Sequence, residues 1–297
     1  MSMKLPNFYL VLVLAAVLAV AAGPGVATAT EEEIEVDLEL ALAVDVSGSI
    51  DDEEAVLQRA GYIAAFRHPR VLQAIRRAGL GRIAVAYYEW AGYGHMKVIA
   101  DWTLIHDKAS ALAFAAKLTG VPPETASRTA IGSAIKFAVP FFEANEFESQ
   151  RKVVDISGDG PNNWGGLVTV ARDAALAEGI TINGLPIMND RPSRYGRAPM
   201  RNLDLYYMDC VIGGPGAFIV VATRFKDFAS AVLRKLILEI AGNTPEKAPD
   251  ATTSSPNSVT SSPNSVTSSM VRPAAAHIGP PCDHGERLRE RFDVDDM

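Results

Sequence analysis

The chain has 297 residues, of which 48% are hydrophobic and 21% charged, so it can bury a core and is not disordered as a whole. Its formal net charge of -7 argues against a general nucleic-acid binder, because neutralising phosphates requires clustered Lys and Arg. Two cysteines are too few for a fold that depends on disulfides.

The N-terminus has the three parts of a secretory signal peptide. Lys4 makes a basic start, residues 8–22 form an apolar run, and the small-residue sequence Ala27-Thr28-Ala29 follows. We predict a signal peptide at residues 1–29, cleaved after Ala29. An uncleaved membrane anchor is the alternative, but the apolar run is shorter than the roughly 20 residues that span a bilayer. The protein is therefore expected to be exported, without a stable membrane span after cleavage.

Predicted strands and helices alternate through residues 30–242, which we interpret as one domain. Residues 36–45 first alternate between apolar and acidic residues and are then continuously apolar up to Asp45, as is typical of a strand that enters a buried parallel sheet. Further strands are predicted at 82–90, 96–102, 152–157, 180–187 and 218–222, and helices at 53–78 with a break near Pro69, 107–118, 129–142, 167–178, 203–212 and 225–240. Glycines at 92 and 94 predict a hairpin. This order predicts an α/β fold with a doubly wound, mainly parallel sheet, one antiparallel edge strand and helices on both faces.

Residues 243–297 are predicted to form a Ser/Thr/Pro-rich disordered tail. Residues 253–259 are repeated at once at 260–266, and so little apolar content cannot offset the entropy of ordering. A short helix at 287–292 is the less favoured alternative to a solvated charged end. Cys210 and Cys282 could pair in an oxidising compartment, but we favour a buried free thiol at Cys210 and a solvated one at Cys282.

The sequence Asp45-Val46-Ser47-Gly48-Ser49 stands directly at the end of the first predicted strand. It presents one carboxylate and two hydroxyls at alternate positions, all of them hard oxygen donors suited to Mg²⁺. These residues could instead only cap the following helix. The position favours a metal site, because ligands of open α/β sheets bind at the carboxyl ends of the strands.

Three motifs together resemble the metal-ion-dependent adhesion site (MIDAS) of von Willebrand factor type A (VWA) domains. They are DVSGS at residues 45–49, SRTAIG at 127–132 and SGDG at 157–160. The resemblance covers about residues 36–242. It implies the Rossmann-like VWA fold and a metal site made of Asp45, Ser47, Ser49, Thr129 and Asp159.

Two further segments, SGDGPNN at 157–163 and YYMDCVIGGPGAF at 206–218, resemble an exported bacterial VWA-like family of unknown function. This resemblance implies a periplasmic location, with secretion as the alternative. In VWA domains with a MIDAS, hydroxyls and water fill much of the metal shell, so the ion stays positive and a partner carboxylate can complete the octahedron. The resemblance thus implies a metal-dependent protein-binding module for adhesion or assembly. The expected ion is Mg²⁺, with Mn²⁺ or Ca²⁺ as alternatives, and the expected partner is a protein that supplies Asp or Glu.

The third motif region holds two candidate acids. We favour Asp159 as the ligand because it stands at the strand end, and we interpret Asp155, further inside the strand, as a buried hydrogen-bonded support. Asn162, Asn163 and Trp164 are expected at the rim of the site or in support of it. Trp164 could alternatively pack in the first turn of the next helix.

Two other function classes stay open: a metal-assisted hydrolase and a metal-free structural module. An enzyme is not expected, because the five His residues lie in no nucleophile–base motif and the chain contains neither a G-x-S-x-G elbow nor a P-loop lysine. In a structural module, the motif residues would only cap helices and bond loop amides.

Overall fold

The structure, a computed structural model, describes residues 33–188, 192, 198–242, 271–273 and 279–295. The predicted signal peptide and much of the predicted tail lie outside these residues. Within the described ranges, no helix is both long and apolar enough to cross a membrane.

The strands form one large sheet and one small one. They are β1 (Ile34–Glu35), β2 (Glu39–Asp45), β3 (Ile83–Trp90), β4 (Met96–Ile105), β5 (Phe147–Glu148), β6 (Lys152–Gly158), β7 (Ile180–Pro186), β8 (Phe218–Val220) and β9 (Val271–Pro273). The large sheet has the order β4-β3-β2-β6-β7-β8-β9, and β1 pairs with β5 separately. Every neighbour in the large sheet is parallel except β3 with β4 and β8 with β9. The predicted fold class is confirmed, with β4 as the antiparallel edge strand. The short β9 adds a second one.

The helices follow the predicted alternation. They are α1 (Asp52–Arg67), α2 (Pro69–Arg77), α3 (Lys108–Lys117), α4 (Ile131–Glu143), α5 (Val168–Ala177), α6 (Leu203–Tyr206) with a π-helical turn over Tyr207–Val211, α7 (Phe228–Ala241) after a 3₁₀ turn over Phe225–Asp227, and α8 (His284–Asp295). Asp51 and Glu54 form a capping box that starts α1. His68 ends α1 and caps α2, so the break predicted near Pro69 is present.

Helices cover both faces of the large sheet. On one face, Leu40, Leu42 and Val44 of β2 pack in the same core as α1, α2, α3 and α7. On the other face, Ala41 and Ala43 pack in the core that contains α4, α5 and α6. β2 is therefore buried on both sides, which explains its continuous apolar run.

Two predictions are corrected outside the sheet. The helix predicted from residue 129 begins at Ile131, so Thr129 lies in the preceding loop. The favoured prediction of free thiols is wrong, because Cys210 and Cys282 form a disulfide with Cα atoms 5.4 Å apart. This bond ties the end of the predicted tail to the domain, and the described residues after it form the helix α8.

Candidate metal centre

The candidate centre lies where the carboxyl ends of β2 and β6 meet. The two strands run parallel with Val44 opposite Ser157. Asp45, the last residue of β2, therefore lies beside the loop after β6 that carries Asp159. Residues far apart in sequence come together here because both strands end at the same edge of the sheet.

Backbone hydrogen bonds bring the loop before α4 to the same edge. The Ala126 N–H donates to the Val46 carbonyl oxygen at 3.0 Å, and the Asn163 N–H donates to the Thr129 carbonyl oxygen at 2.9 Å. The second motif is thus held between the first and the third.

Hydrogen bonds link the side chains of four of the five predicted ligands. The Thr129 hydroxyl donates to Ser47 Oγ at 3.2 Å, and the hydroxyls of Ser47 and Ser49 lie 3.2 Å apart. Ser49 Oγ in turn donates to Asp159 Oδ1 at 2.6 Å. Asp45, the fifth, accepts the Ser47 N–H at 2.7 Å through Oδ1. All five predicted residues therefore come together in one cluster.

One carboxylate oxygen of Asp45 is a buried polar atom that no described protein group satisfies. This atom, Oδ2, faces Gly158, where a Cβ would come within 2.8 Å of it and of the Tyr207 hydroxyl. Burial, and next the negative charge of Asp159, raises the pKa of Asp45 well above its usual value. Buried carboxylates are normally paired or bind metals, so the residues present fit a cation.

The chemistry of the donors narrows the class of cation. Two carboxylates and three hydroxyls are hard oxygen donors, which suit Mg²⁺ and similar ions. Among the described residues, no three His, Cys, Asp or Glu side chains group in a way that could hold a metal. The candidate centre therefore depends on its hydroxyl groups.

Asn162 and Asn163 hold the loops of the centre together. Asn162 Oδ1 accepts the Gly132 N–H at the start of α4 at 3.0 Å, and its Nδ2 donates to Glu286 of α8 at 2.7 Å. Asn163 Oδ1 accepts the Thr129 N–H at 2.9 Å. Of the two predicted roles, rim or support, these contacts fit support.

Trp164 lies before α5, not in its first turn. Its ring is 4.4 Å from that of Tyr93, centroid to centroid. The guanidinium carbons of Arg128 and Arg289 lie 5.8 and 5.4 Å from the Trp164 ring centre. We call these four residues the aromatic–arginine rim.

Asp155 points away from the centre, towards α7. Its Oδ1 lies 2.6 Å from Lys235 Nζ, which also lies 2.5 Å from Glu239 Oε1. All three side chains are buried. Burial raises the pKa of Asp155 to about 7, against the lowering effect of Lys235. Asp155 therefore joins the sheet to α7, in keeping with the predicted supporting role.

Sequence reasoning missed Tyr207, whose buried hydroxyl faces Asp45 across Gly158. Burial, and next the charge of Asp45, raises the pKa of Tyr207 well above its usual value. The segment that contains Tyr207 resembles a bacterial family, but nothing in its residue pattern indicates that Tyr207 lies near the metal centre. Glu286 and Arg289 were missed because they lie in the predicted tail.

Comparisons with known proteins give one family and several similar structures. The model of the family described as "Protein of unknown function (DUF1194)" matches residues 35–244. No curated protein matches the sequence. The pilus adhesin SpaC from Lactobacillus rhamnosus GG, in its open conformation, is 14% identical with a TM-score of 0.50, over 72% of this chain and 31% of the adhesin.

Two other similar structures have lower TM-scores. Proximal thread matrix protein 1 from the mussel byssus, with a zinc-occupied MIDAS motif, is 16% identical with a TM-score of 0.47, over 71% of this chain and 49% of that protein. A von Willebrand factor type A protein from Catenulispora acidiphila is 13% identical with a TM-score of 0.46, over 69% of this chain and 43% of the other. The chain thus spans about half the length of the mussel protein.

These identities bear on the fold alone. The sheet order, the helices on both faces and the loops at the strand ends match the architecture that the VWA resemblance implies, and that prediction is confirmed. Since the family model matches more than half of the sequence, the chain belongs to the DUF1194 family and has a VWA-like fold.

Proposed function

We propose that this chain is an exported, metal-dependent protein-binding module in which a divalent cation joins the domain to a partner carboxylate. The observation that carries the proposal is that the five predicted ligands form one hydrogen-bonded cluster, in which one carboxylate oxygen of Asp45 is buried and unsatisfied. We propose Asp45, Ser47, Ser49, Thr129 and Asp159 as the metal-binding residues. Mg²⁺ suits these donors best, with Mn²⁺ and Ca²⁺ as alternatives.

The residue types support binding of a further anion. Three neutral hydroxyls and two carboxylates leave a bound ion less neutralised than carboxylates alone would. A divalent cation, when bound, would supply a positive centre for an Asp or Glu oxygen of the partner protein. Hydroxyls and carboxylates without an imidazole support binding over catalysis.

The proposal extends to the location and organisation of the chain. The three-part N-terminus supports cleavage after Ala29 and export. The disulfide supports an oxidising compartment, and we propose the periplasm. Residues 30–242 would then be the binding domain. The repeats at 253–266 would serve as a spacer in the tail.

Isothermal titration with Mg²⁺ and Mn²⁺ tests the metal site. We expect saturable heat from the wild-type protein and a loss of affinity of at least about tenfold in Asp45→Ala, because removing a charged ligand costs more than about 1.4 kcal/mol. Asp173→Ala is the matched control, since the Asp173 side chain is 64% exposed on α5. No heat in the wild type, or equal heat in Asp45→Ala, would favour the metal-free structural module.

A further inference from the structure

The helix α8 packs directly on the loop that follows β6. Gly285 of α8 lies so close to this loop that a Cβ there would come within 2.0 Å of the Asn162 carbonyl oxygen. Glu286 Oε1 accepts the Asn162 side-chain N–H at 2.7 Å. Arg289 Nη1 donates to the Asn163 carbonyl oxygen at 3.1 Å. Both asparagines are therefore held in place by α8.

The same two asparagines hold the second motif of the candidate centre. Asn163 Oδ1 accepts the Thr129 N–H at 2.9 Å, and the Asn163 N–H donates to the Thr129 carbonyl oxygen at 2.9 Å. Asn162 Oδ1 accepts the Gly132 N–H at 3.0 Å. Asp159 lies in the same loop, ahead of Asn162. Contacts made by α8 thus bear on two of the proposed metal-binding residues.

A disulfide fixes the start of α8. Cys282, just before the helix, is bonded to Cys210 in the π-helical turn. The Tyr206 hydroxyl joins this region to the loop, because it accepts the Asn162 N–H at 3.2 Å and donates to the Cys282 carbonyl oxygen at 3.5 Å. The disulfide therefore places α8 where it meets Asn162.

The noncovalent contacts of α8 are weak compared with this bond. Hydrogen bonds contribute little net free energy where water can replace them, and the α8 sequence is rich in charged residues. The connection to α8 contains the Ser/Thr repeats at 253–266, and β9 adds only three residues of strand pairing. A disulfide between residues separated by 72 positions removes much of the entropy cost of bringing α8 to the loop.

The disulfide also makes this contact depend on the redox conditions. When it forms, each cysteine loses its thiol proton, and the two electrons reduce a disulfide of the oxidant to two thiols. Reducing compartments keep such cysteines as thiols, whereas exported proteins meet conditions in which the bond persists. Cys282 is only partly buried, so a dithiol can reach the bond and reverse the exchange.

We propose that the Cys210–Cys282 disulfide is a redox device that sets the cation affinity of the candidate centre. In the oxidised protein, α8 holds Asn162 and Asn163, and these hold the loops that carry the proposed ligands. In the reduced protein, α8 leaves the loop and the cation binds more weakly. This inference rests on the proposed function, and it adds that the centre gains its full affinity only after export.

Amide hydrogen exchange in a chelator tests the link between α8 and the loops without any cation. We expect the N–H groups of Thr129 and Gly132 to exchange at least about tenfold faster after a dithiol reduces the protein, because their asparagine acceptors are no longer held. The Ala84 N–H, which donates to the Leu38 carbonyl oxygen at 2.9 Å, is the control for unfolding of the whole domain and should keep its rate.

Isothermal titration with Mg²⁺ tests the effect on the centre. We expect the affinity of the wild type to fall at least about tenfold after reduction, since residues that support metal ligands have effects of this size. The double variant Cys210→Ser, Cys282→Ser should bind as the reduced wild type does. The dithiol should not change the affinity of this variant, which controls for binding of the ion by the reductant. Circular dichroism checks that each form is folded.

Glu286→Ala separates the contact of α8 from a general effect of the disulfide on stability. It removes the acceptor of the Asn162 side-chain N–H, so we expect it to lower Mg²⁺ affinity at least about threefold in the oxidised protein. It should have little effect in the double Ser variant, where α8 has already left the loop. Glu290→Ala is the matched control, because it removes the same charge from an exposed position on α8.

Failure of this inference is distinguishable from failure of the proposed function. Equal exchange of the Thr129 and Gly132 amides in both redox states would overturn the redox link, and so would Mg²⁺ binding of equal affinity in both states. An equal effect of Glu286→Ala with and without the disulfide would also overturn it. If neither redox state binds Mg²⁺, the proposed function fails, and the exchange rates alone decide whether the disulfide orders the loops.

Discussion

Two glycines of the third motif differ in the space that surrounds them. A Cβ at Gly158 would lie 2.8 Å from both Asp45 Oδ2 and the Tyr207 hydroxyl, so one of these buried groups must move. We expect Gly158→Ala to lower Mg²⁺ affinity at least about tenfold and to lower the free energy of unfolding by about 1–3 kcal/mol. Isothermal titration and urea unfolding measure the two effects.

Gly160→Ala is the control for that change. The nearest atom to a Cβ there is Thr129 Oγ1 at 3.9 Å, which is an ordinary contact. Mg²⁺ affinity and stability should therefore stay close to the wild type. If both variants lose affinity equally, the space around Asp45 does not control the metal site.

The candidate metal-binding residues could be predicted from the sequence, but the side chains packed around them could not. Asp45, Ser47 and Ser49 share one short loop, so local spacing and a known motif point to them; their role as ligands stays a prediction. The position of the Tyr207 hydroxyl beside Gly158, close to Asp45, depends on a π-helical turn and on how that turn packs against the loop after β6. Such long-range packing leaves no local pattern in the sequence.

The contact between β6 and α7 contains buried charges. Lys235 of α7 lies between Asp155 of β6 and Glu239. The pKa of Asp155 is about 7 in the fold, against 3.8 for an ordinary Asp. The folded protein thus keeps a proton that the unfolded chain has lost, so stability falls as pH rises from about 4 to about 7.

Asp155→Asn should remove this contribution to the pH dependence, since an amide resembles the protonated acid. The free energy of unfolding of the variant, minus that of the wild type, should rise by on the order of 2 kcal/mol from pH 4 to pH 7. This difference should change little above pH 7. Urea unfolding at several pH values measures the difference. The control is Asp173→Asn on the surface of α5, which should follow the wild type. If the difference in the free energy of unfolding between Asp155→Asn and the wild type is the same at every pH, the raised pKa of Asp155 is contradicted.

Strands and helices that bury apolar surface could be predicted from the sequence. Elements held in place by a disulfide and polar contacts could not. Strand β2 is buried on both faces, and that burial appears in the sequence as the apolar run of residues 40–44. The helix α8 is rich in charged residues, so composition predicted a disordered tail. It is held instead by the Cys210–Cys282 disulfide and by polar contacts such as Glu286 with Asn162. These depend on distant partners that composition cannot reveal.

Across the whole molecule, the alternation of strands and helices was enough to predict the class of fold. Parallel strands require crossover connections, and helices on both faces explain why the central strands carry little polarity. The second antiparallel edge strand was not predicted, because β9 has only three residues and lies in the predicted tail. Short edge strands have too few residues for a periodic pattern.

The candidate centre should also control the stability of the whole domain. Burial and the charge of Asp159 raise the pKa of Asp45, so holding Asp45 ionised at neutral pH destabilises the fold without a cation. Asp45→Asn keeps the shape of the side chain and an oxygen that can accept the Ser47 N–H. We expect the metal-free variant to be more stable than the metal-free wild type by about 1–3 kcal/mol.

The order should reverse when Mg²⁺ is added. At about one hundred times its Kd, a ligand that binds only the folded state stabilises the wild type by about 2.7 kcal/mol. Asp45→Asn should gain little, because it has lost a charged ligand. Differential scanning calorimetry with Mg²⁺ and with a chelator measures both changes, and Asp173→Asn should respond as the wild type does. A wild type that is no less stable than Asp45→Asn in chelator, together with equal responses to Mg²⁺, would mean that Asp45 is a structural residue.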